Sequence, residues 1–206
     1  MEEKIVYFEE SGKANTEVTL QLALERTRAR GISKILLAST RGDTARFFAQ
    51  KLTGTGIKMI VVPHQYGFGP GQRFPKELVS ELEQQGHTVY FGTMLFHTDG
   101  FFNTNEPRLM ANLLRTFCQG MKVCVEILFM ATNGGLVASG EKVVVVTGTG
   151  QGADTAVVAI AAPTTALADL HITEIICKPL QTKQGLPPPY AATPGAGAVQ
   201  APPPRP

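Results

Sequence analysis

The stretch that decides the fold of this chain is residues 35–46, which read Ile35-Leu36-Leu37-Ala38-Ser39-Thr40-Arg41-Gly42-Asp43-Thr44-Ala45-Arg46. An apolar run ends at a cluster of hydroxyl groups and one glycine, and a helical pattern begins at once. A strand that turns directly into a helix presents free backbone N–H groups and the positive end of the helix dipole at one place. Such a place suits an anion, and a phosphate group in particular.

The first candidate site is therefore the loop made of Ser39, Thr40, Arg41, Gly42, Asp43 and Thr44. Its hydroxyl groups can donate hydrogen bonds to phosphate oxygens, its arginine can add a charge-assisted pair, and its glycine lets a ligand approach the backbone. The same pattern is expected of an ordinary helix start, with Asp43 or a hydroxyl group as the cap. The local sequence leaves both interpretations open.

The second candidate site is a glycine loop after the strand-like run 142–146. It reads Thr147-Gly148-Thr149-Gly150-Gln151-Gly152 and is followed by Ala153 and Asp154. Alternating glycines after a strand can form a backbone nest for an anion, although a flexible hairpin loop is the alternative. The spacing matches neither the dinucleotide fingerprint nor the P-loop. The candidate ligand-binding residues here are Thr147, Gly148, Thr149, Gly150, Gly152 and Asp154.

Two isolated polar residues are further candidates. Glu126 lies alone in the apolar run 123–130, where a buried carboxylate needs a partner, so it is either a satisfied structural residue or a catalytic one. His64 follows the third predicted strand, at the end where open α/β sheets bind ligands. The other histidines have no such placement, and no Cys/His cluster has metal-ligand spacing. The sequence therefore predicts no metal site and identifies no catalytic group.

The order of apolar patterns predicts an α/β fold. Strands are predicted at 4–8, 32–38, 57–62, 88–91, 142–146, 155–160 and 172–177, and helices at 15–30, 42–52, 76–85 and 107–119. Residues 92–106 are predicted as loop with one short turn, and residues 121–136 as a buried helix or a strand. Since the connection from 146 to 155 is too short for a parallel crossover, these two strands should be antiparallel neighbours in a mixed sheet.

Composition sets the remaining expectations. A net charge of +2 and scattered basic residues favour neither a nucleic-acid nor a membrane partner, and no apolar stretch is long enough for a membrane helix. Three cysteines without C-x-x-C spacing and no signal peptide predict a cytoplasmic protein with reduced thiols. Residues 1–180 are predicted to form one domain, and the Pro/Gly/Ala-rich segment 181–206 a disordered tail.

The two loops, taken in order, resemble the C-terminal α/β domain of pyruvate kinase. Thr40-Arg41-Gly42-Asp43-Thr44-Ala45-Arg46 is similar to the Thr/Ser-x-x-Gly-x-Ser/Thr-Ala loop at the end of one strand of that domain. Residues 143–148 with 152–158 are similar to a later strand that ends in Thr-Gly, with its glycine-rich loop and the final strand. The stand-alone pyruvate kinase C-terminal-domain-like proteins, a family of unassigned function, are more similar still. The segments that match them are 4–8, 15–17, 122–127 with Met130-Ala131, 152–158 and 174–179, within a resemblance that covers about 2–180.

The resemblance implies a three-layer α/β sandwich with a mixed, mostly parallel sheet, in which residues 122–136 form a helix. It implies no pyruvate kinase activity, because the barrel domain that binds metal, phosphoenolpyruvate and nucleotide has no counterpart in the matched residues. In pyruvate kinases the two loops form the allosteric sugar-bisphosphate site. A phosphorylated small molecule, of which flavin mononucleotide (FMN) is one example, is therefore the ligand that the resemblance implies.

These observations favour a protein that binds a phosphorylated small molecule between residues 39–44 and 147–154, as a sensor or a regulatory domain. The alternative is a flavin-dependent or other small-molecule enzyme that uses Glu126 or His64 as acid or base. A homo-oligomer and a tail that docks onto a partner also remain open.

Overall fold

A computed structural model describes residues 2–180 of the chain. The prediction of a disordered tail at 181–206 lies outside the described residues.

Seven strands form one sheet. They are Val6–Phe8 (β1), Lys34–Ala38 (β2), Lys58–Val62 (β3), Thr88–Val89 (β4), Lys142–Thr147 (β5), Thr155–Ile160 (β6) and His171–Pro179 (β7). The α-helices of the described residues are Thr16–Ala29 (α1), Asp43–Leu52 (α2), Lys76–Gln84 (α3), Asp99–Phe102 (α4), Glu106–Arg115 (α5) and Gln119–Asn133 (α6). Short 3-10 helices lie at Lys13–Asn15, Leu95–His97 and Thr164–Asp169.

The strand order across the sheet is β1-β7-β6-β5-β2-β3-β4. The pairs β1–β7, β5–β2, β2–β3 and β3–β4 are parallel, whereas β6 runs antiparallel to both β5 and β7. The predicted mixed, mostly parallel sheet is therefore confirmed, and so is the antiparallel pairing of the two strands joined by the glycine loop.

Helices cover both faces of the sheet and make three layers. On one face, α1, α2 and α3 pack through Leu20, Phe48 and Leu78 against alternate residues of the central strands. On the other face, α6 packs through Cys124 and Leu128 against the remaining residues of the same strands. Because the central strands are buried on both faces, they form the near-continuous apolar runs seen in the sequence. Within residues 2–180, no helix is long and apolar enough to cross a membrane.

Two local predictions differ from the structure. The helix predicted at 107–119 ends at Arg115, because the backbone of Cys118 is extended and its thiol accepts a hydrogen bond from the N–H of Met121, which starts α6. Residues 92–106 contain two helical segments, Leu95–His97 and α4, instead of one turn. The segment 121–136, which the sequence left open between helix and strand, lies mostly in α6, as the family resemblance implies.

Gly42 forms the junction between β2 and α2. Its φ is +89°, a left-handed value that favours glycine, and a Cβ atom placed on it would lie 2.2 Å from Cδ2 of Leu78. Leu78 is fully buried in α3, so it has little room to move away. The glycine is therefore required for close packing of the junction against α3.

We expect Gly42→Ala to destabilise the fold more than Gly54→Ala does. Gly54 also has a positive φ (+73°), but a Cβ atom there meets nothing within 4 Å, so it controls for the backbone effect alone. The additional overpacking at Gly42 should lower the free energy of unfolding by a further ~1–3 kcal/mol in urea titrations. Equal losses for the two variants would show that Leu78 does not restrict this position.

Candidate functional site

A cavity of about 790 Å³ opens at the carboxyl ends of three neighbouring parallel strands, β5, β2 and β3. Its wall includes the residues that follow each of these strands, the beginnings of α1 and α2, and one side of α6. The chain leaves β2 toward β3 on one side of the cavity, and leaves β5 toward β6 on the other. This reversal is a topological switch point, the position at which open α/β sheets bind ligands.

The first predicted loop contributes five of its six candidate residues to the cavity wall, namely Ser39, Thr40, Arg41, Asp43 and Thr44. Gly42 is not part of the wall. Its lack of a side chain accommodates Leu78, as described above. The N-cap position of α2 is Gly42 itself, and no side chain of the described residues caps this helix, which argues against the interpretation of the loop as a side-chain-capped helix start.

The second predicted loop contributes Gly148, Gly150 and Gly152 to the wall, together with Gln151. Gly152 has a φ of +74°, and a Cβ atom there would lie 2.2 Å from Oγ1 of Thr16 at the start of α1. That hydroxyl group accepts a hydrogen bond from the N–H of Ala153 (3.0 Å). The glycine loop is thus packed against the N-terminus of α1, and Lys13 and Ala14 line the same part of the cavity.

The other candidates of this loop, Thr147, Thr149 and Asp154, lie outside the wall. Asp154 is fully buried, and its carboxylate accepts hydrogen bonds from the N–H groups of Gly12 (2.8 Å) and Thr149 (3.0 Å) and from the hydroxyl group of Thr155 (2.8 Å). It therefore holds the loop in place and does not face the cavity. The hydroxyl group of Thr147 donates to the carbonyl oxygen of Gly120 (2.8 Å), which joins the end of β5 to α6.

Glu126 lies in the part of the wall that α6 forms and is only 2% exposed. Its carboxylate accepts three hydrogen bonds, from the N–H of Phe96 (3.0 Å), from Nδ1 of His97 (3.2 Å) and from Nζ of Lys122 (2.5 Å). Burial alone would raise the pKa of Glu126, but the hydrogen bond from His97 and the charge of Lys122 outweigh burial and hold the pKa below its ordinary value. The carboxylate is therefore ionised.

Lys122 is the ion-pair partner that the buried carboxylate requires. It precedes Glu126 by one helical turn, is also 2% exposed, and has a pKa lowered chiefly by burial. Its ammonium group lies 5.4 Å from the centre of the Phe96 ring. The i,i+4 spacing of this pair was visible in the sequence.

His97 is a functional candidate that the sequence did not predict. A carboxylate only accepts hydrogen bonds, so Nδ1 of His97 carries the proton toward Glu126, and Nε2 is left without a hydrogen-bond partner among residues 2–180. The imidazole lines the cavity and is about one-third exposed. The only available signal was indirect: Glu126 needed partners, but those partners lie in the segment 92–106, whose pattern is irregular.

His64 lies at the end of β3, as predicted, and lines the cavity. Its Nδ1 accepts from the guanidinium group of Arg73 (3.0 Å), so in the neutral ring Nε2 donates toward Oγ1 of Thr40 (3.4 Å). Burial, with the nearby charges of Arg73 and His97, lowers the pKa of His64. The ring of Phe68 makes edge contacts with both His64 and His97, at centroid distances of 4.7 and 5.1 Å.

No group of three or more metal-ligating side chains occurs among the described residues. The charged side chains of the cavity wall are of both signs: the cations Lys13, Arg41 and Arg73, the carboxylates Glu17 and Asp43, and the buried ion pair of Lys122 with Glu126.

The fold and the position of the cavity define a three-layer α/β domain with a switch-point site. The family model of the pyruvate kinase alpha/beta domain matches residues 17–160, and the chain belongs to this family. Among solved structures, the chain is similar to a Cryptosporidium parvum pyruvate kinase determined in complex with ADP, with 16% sequence identity and a TM-score of 0.38. The match covers 69% of this chain and only 22% of that pyruvate kinase.

We expect Lys122→Met and Glu126→Gln each to lower the free energy of unfolding by about 3–5 kcal/mol, because each leaves a buried charge without its partner. The double variant should lose less than the sum of the two single losses. Urea titrations of the four proteins at neutral pH measure this coupling. Strictly additive losses would contradict a direct ion pair in the buried wall.

Proposed function

We propose that the chain binds a phosphorylated small molecule in this cavity and serves as a sensor or a regulatory domain. The observation that carries the proposal is the convergence of two loops that are more than a hundred residues apart in the sequence. Five residues of the first loop and four of the second line one cavity at the switch point of the sheet: Ser39, Thr40, Arg41, Asp43 and Thr44, and Gly148, Gly150, Gln151 and Gly152. Either loop alone would be weaker support, because each pattern also occurs in structural roles.

The phosphate group would lie at the end of the cavity where the two loops meet. Lys13 and Arg41 supply positive charge there, and the uncapped N-terminus of α2 supplies backbone N–H groups. The backbone of the glycine loop after β5 has left-handed conformations at Gly150 and Gly152, which are typical of amide nests. Asp43 and Glu17 also line the cavity, so the cations are needed to make this end favourable for an anion.

The rest of the ligand would contact an apolar wall. Its lining side chains are Phe47, Phe68, Met94, Ile127 and Met130. Two phenylalanines and two flexible methionines suit a flat ring system, and the cavity volume lies within the usual range of about 300–1,000 Å³ for small-molecule sites. FMN joins a phosphate group to a flat ring system. The two loops would contact its phosphate group, and the apolar wall would contact its ring system. When bound, FMN would supply electron- and hydride-transfer chemistry.

The test compares FMN with riboflavin, which has the same ring without the phosphate. We expect FMN binding, followed by quenching of flavin fluorescence, to be much tighter than riboflavin binding. Arg41→Ala should weaken FMN binding about tenfold or more, since it removes a charge-assisted hydrogen bond. Arg28→Ala is the matched control, because Arg28 is an exposed cation of α1 outside the cavity wall.

Equal affinity for FMN and riboflavin, or equal effects of the two arginine variants, would contradict a phosphate anchor at residue 41. If neither flavin binds, mass spectrometry of compounds retained during purification decides whether another phosphorylated molecule occupies the site. A purified chain that retains no phosphorylated compound and binds no inorganic phosphate would contradict the proposal as a whole.

A second candidate function, acid–base catalysis on the bound ligand, is favoured by the contact between Glu126 and His97. Glu126 is buried and ion-paired, so it is a positioning residue, whereas the partly exposed imidazole of His97 has the free nitrogen. A carboxylate that fixes the tautomer of a histidine is a common arrangement for moving protons in catalytic sites. His64 is the alternative acid or base, although Arg73 occupies its Nδ1.

If this second function is correct, incubation with phosphorylated hydroxycarbonyl compounds in D₂O should replace carbon-bound hydrogen by deuterium. His97→Gln should abolish this exchange, and Glu126→Gln should reduce it. His171→Gln is the control, since His171 lies on β7 outside the cavity wall. Proton NMR follows the exchange, and its absence with every compound would reject acid–base catalysis on this class while leaving ligand binding intact.

A further inference from the structure

The outer surface of α5, together with the neighbouring α4, exposes an unusual number of large apolar side chains. We refer to these as the α4–α5 patch. Six side chains, each between 37% and 85% exposed, belong to it: Phe101, Phe102, Leu109, Met110, Leu113 and Phe117. Most apolar side chains of comparable size elsewhere in residues 2–180 are buried in the cores described above.

Helix α5 has two apolar faces, and one of them packs against α6 in the core. Ala111 and the partly buried Leu114 turn inward and pack against Val125 and Phe129 of α6. Leu109 and Leu113 lie one helical turn apart on a different side of α5, and Phe117 is exposed just after the helix ends at Arg115, so the three side chains form a stripe. A helix covered on one side only normally has polar residues on the other, so the packing among residues 2–180 does not explain this stripe.

The two phenylalanines of α4 extend the stripe. Their rings pack edge to face at a centroid distance of 4.9 Å, and α4 contacts α5, with Asp99 lying 3.9 Å from Arg108. Since a large apolar side chain exposes roughly 150–250 Å² when free, the six partly exposed residues offer an apolar area on the order of 700 Å². The largest apolar patch on a typical monomer is about 300–600 Å².

We propose that the α4–α5 patch is the interface of a homodimer, with a second copy of this chain as its occupant. The apolar area approaches the roughly 800 Å² per partner that a stable protein interface buries. A twofold axis brings the same patch of both copies together, so one apolar surface can cover itself. The small net charge of +2 opposes such self-association only weakly.

The charges at the ends of α5 are compatible with an antiparallel pair of α5 helices. Glu106 lies in the first turn of the helix and Arg115 in the last, so the acidic end of one copy would approach the basic end of the other. The dipoles of the two helices would also oppose each other. The interface would thus have an apolar centre and a charged rim, which is the usual arrangement of protein interfaces.

The test is the molar mass of the full chain across a concentration series, measured by sedimentation velocity or light scattering. We expect a dimer of twice the 22.1 kDa chain mass for the wild type. The double variant Leu109→Lys/Leu113→Lys should be monomeric, with dimer affinity reduced more than about a hundredfold, because it buries unpaired charge at the centre of the interface. Phe101→Ser, on α4, should weaken the dimer independently.

Leu167→Lys is the matched control, because Leu167 is an exposed leucine that lies outside the α4–α5 patch. It should remain dimeric. Circular dichroism of all variants should match the wild type, since the replaced side chains are exposed in the protomer. A monomeric wild type, or a Leu109→Lys/Leu113→Lys variant that remains dimeric, would overturn the proposal. Protection of amides 99–117 from hydrogen exchange in a monomeric wild type would indicate that another part of this chain covers the patch.

Discussion

The pairing of β2 with β5 is the constraint on which the rest of the structure depends. The two strands are far apart in the chain, yet Leu36 pairs with Val145 in the middle of the sheet, and both residues are fully buried. Because the strands are parallel, their carboxyl ends reach the same edge, and the two following loops open one cavity. The valines of β5 contact helices on both faces, so a large part of the apolar core would be lost without this pairing.

A loop rich in glycine would be costly to order by itself, because glycine loses more backbone freedom on folding than any other residue. Here the buried carboxylate of Asp154 offsets that cost. Burying this carboxylate without hydrogen-bond donors would be strongly unfavourable. Because the N–H groups of Gly12 and Thr149 donate to it, the carboxylate fixes the glycine loop against the N-terminal segment. A hydrogen-bonded carboxyl group in the interior thus gives the cavity a defined wall.

Much of the fold could be predicted from the sequence, because apolar periodicity and connection lengths are local properties. The buried strands, the antiparallel β5–β6 hairpin and the two loops that line the cavity were all visible in this way. The roles of Gly42, Asp154 and His97 were not, since each depends on a distant partner: Leu78, Gly12 and Glu126. The sequence placed the end of α5 at residue 119, four residues too late. The helical pattern of the sequence continues past Arg115, but Cys118 has an extended backbone and caps α6 through its thiol.

The position of β1 in the sheet has a consequence for folding. This three-residue strand pairs in parallel with the end of β7, so its contacts have a very large sequence separation and contribute strongly to contact order. During synthesis from the amino end, β1 is made first but its partner strand is made after every other strand of the sheet. Its shortness and its half-exposed side chains leave little apolar edge to associate wrongly during that interval. The ion pairs of Glu3 with Arg26 and Arg30 then hold the preceding residues against α1 once the sheet has closed.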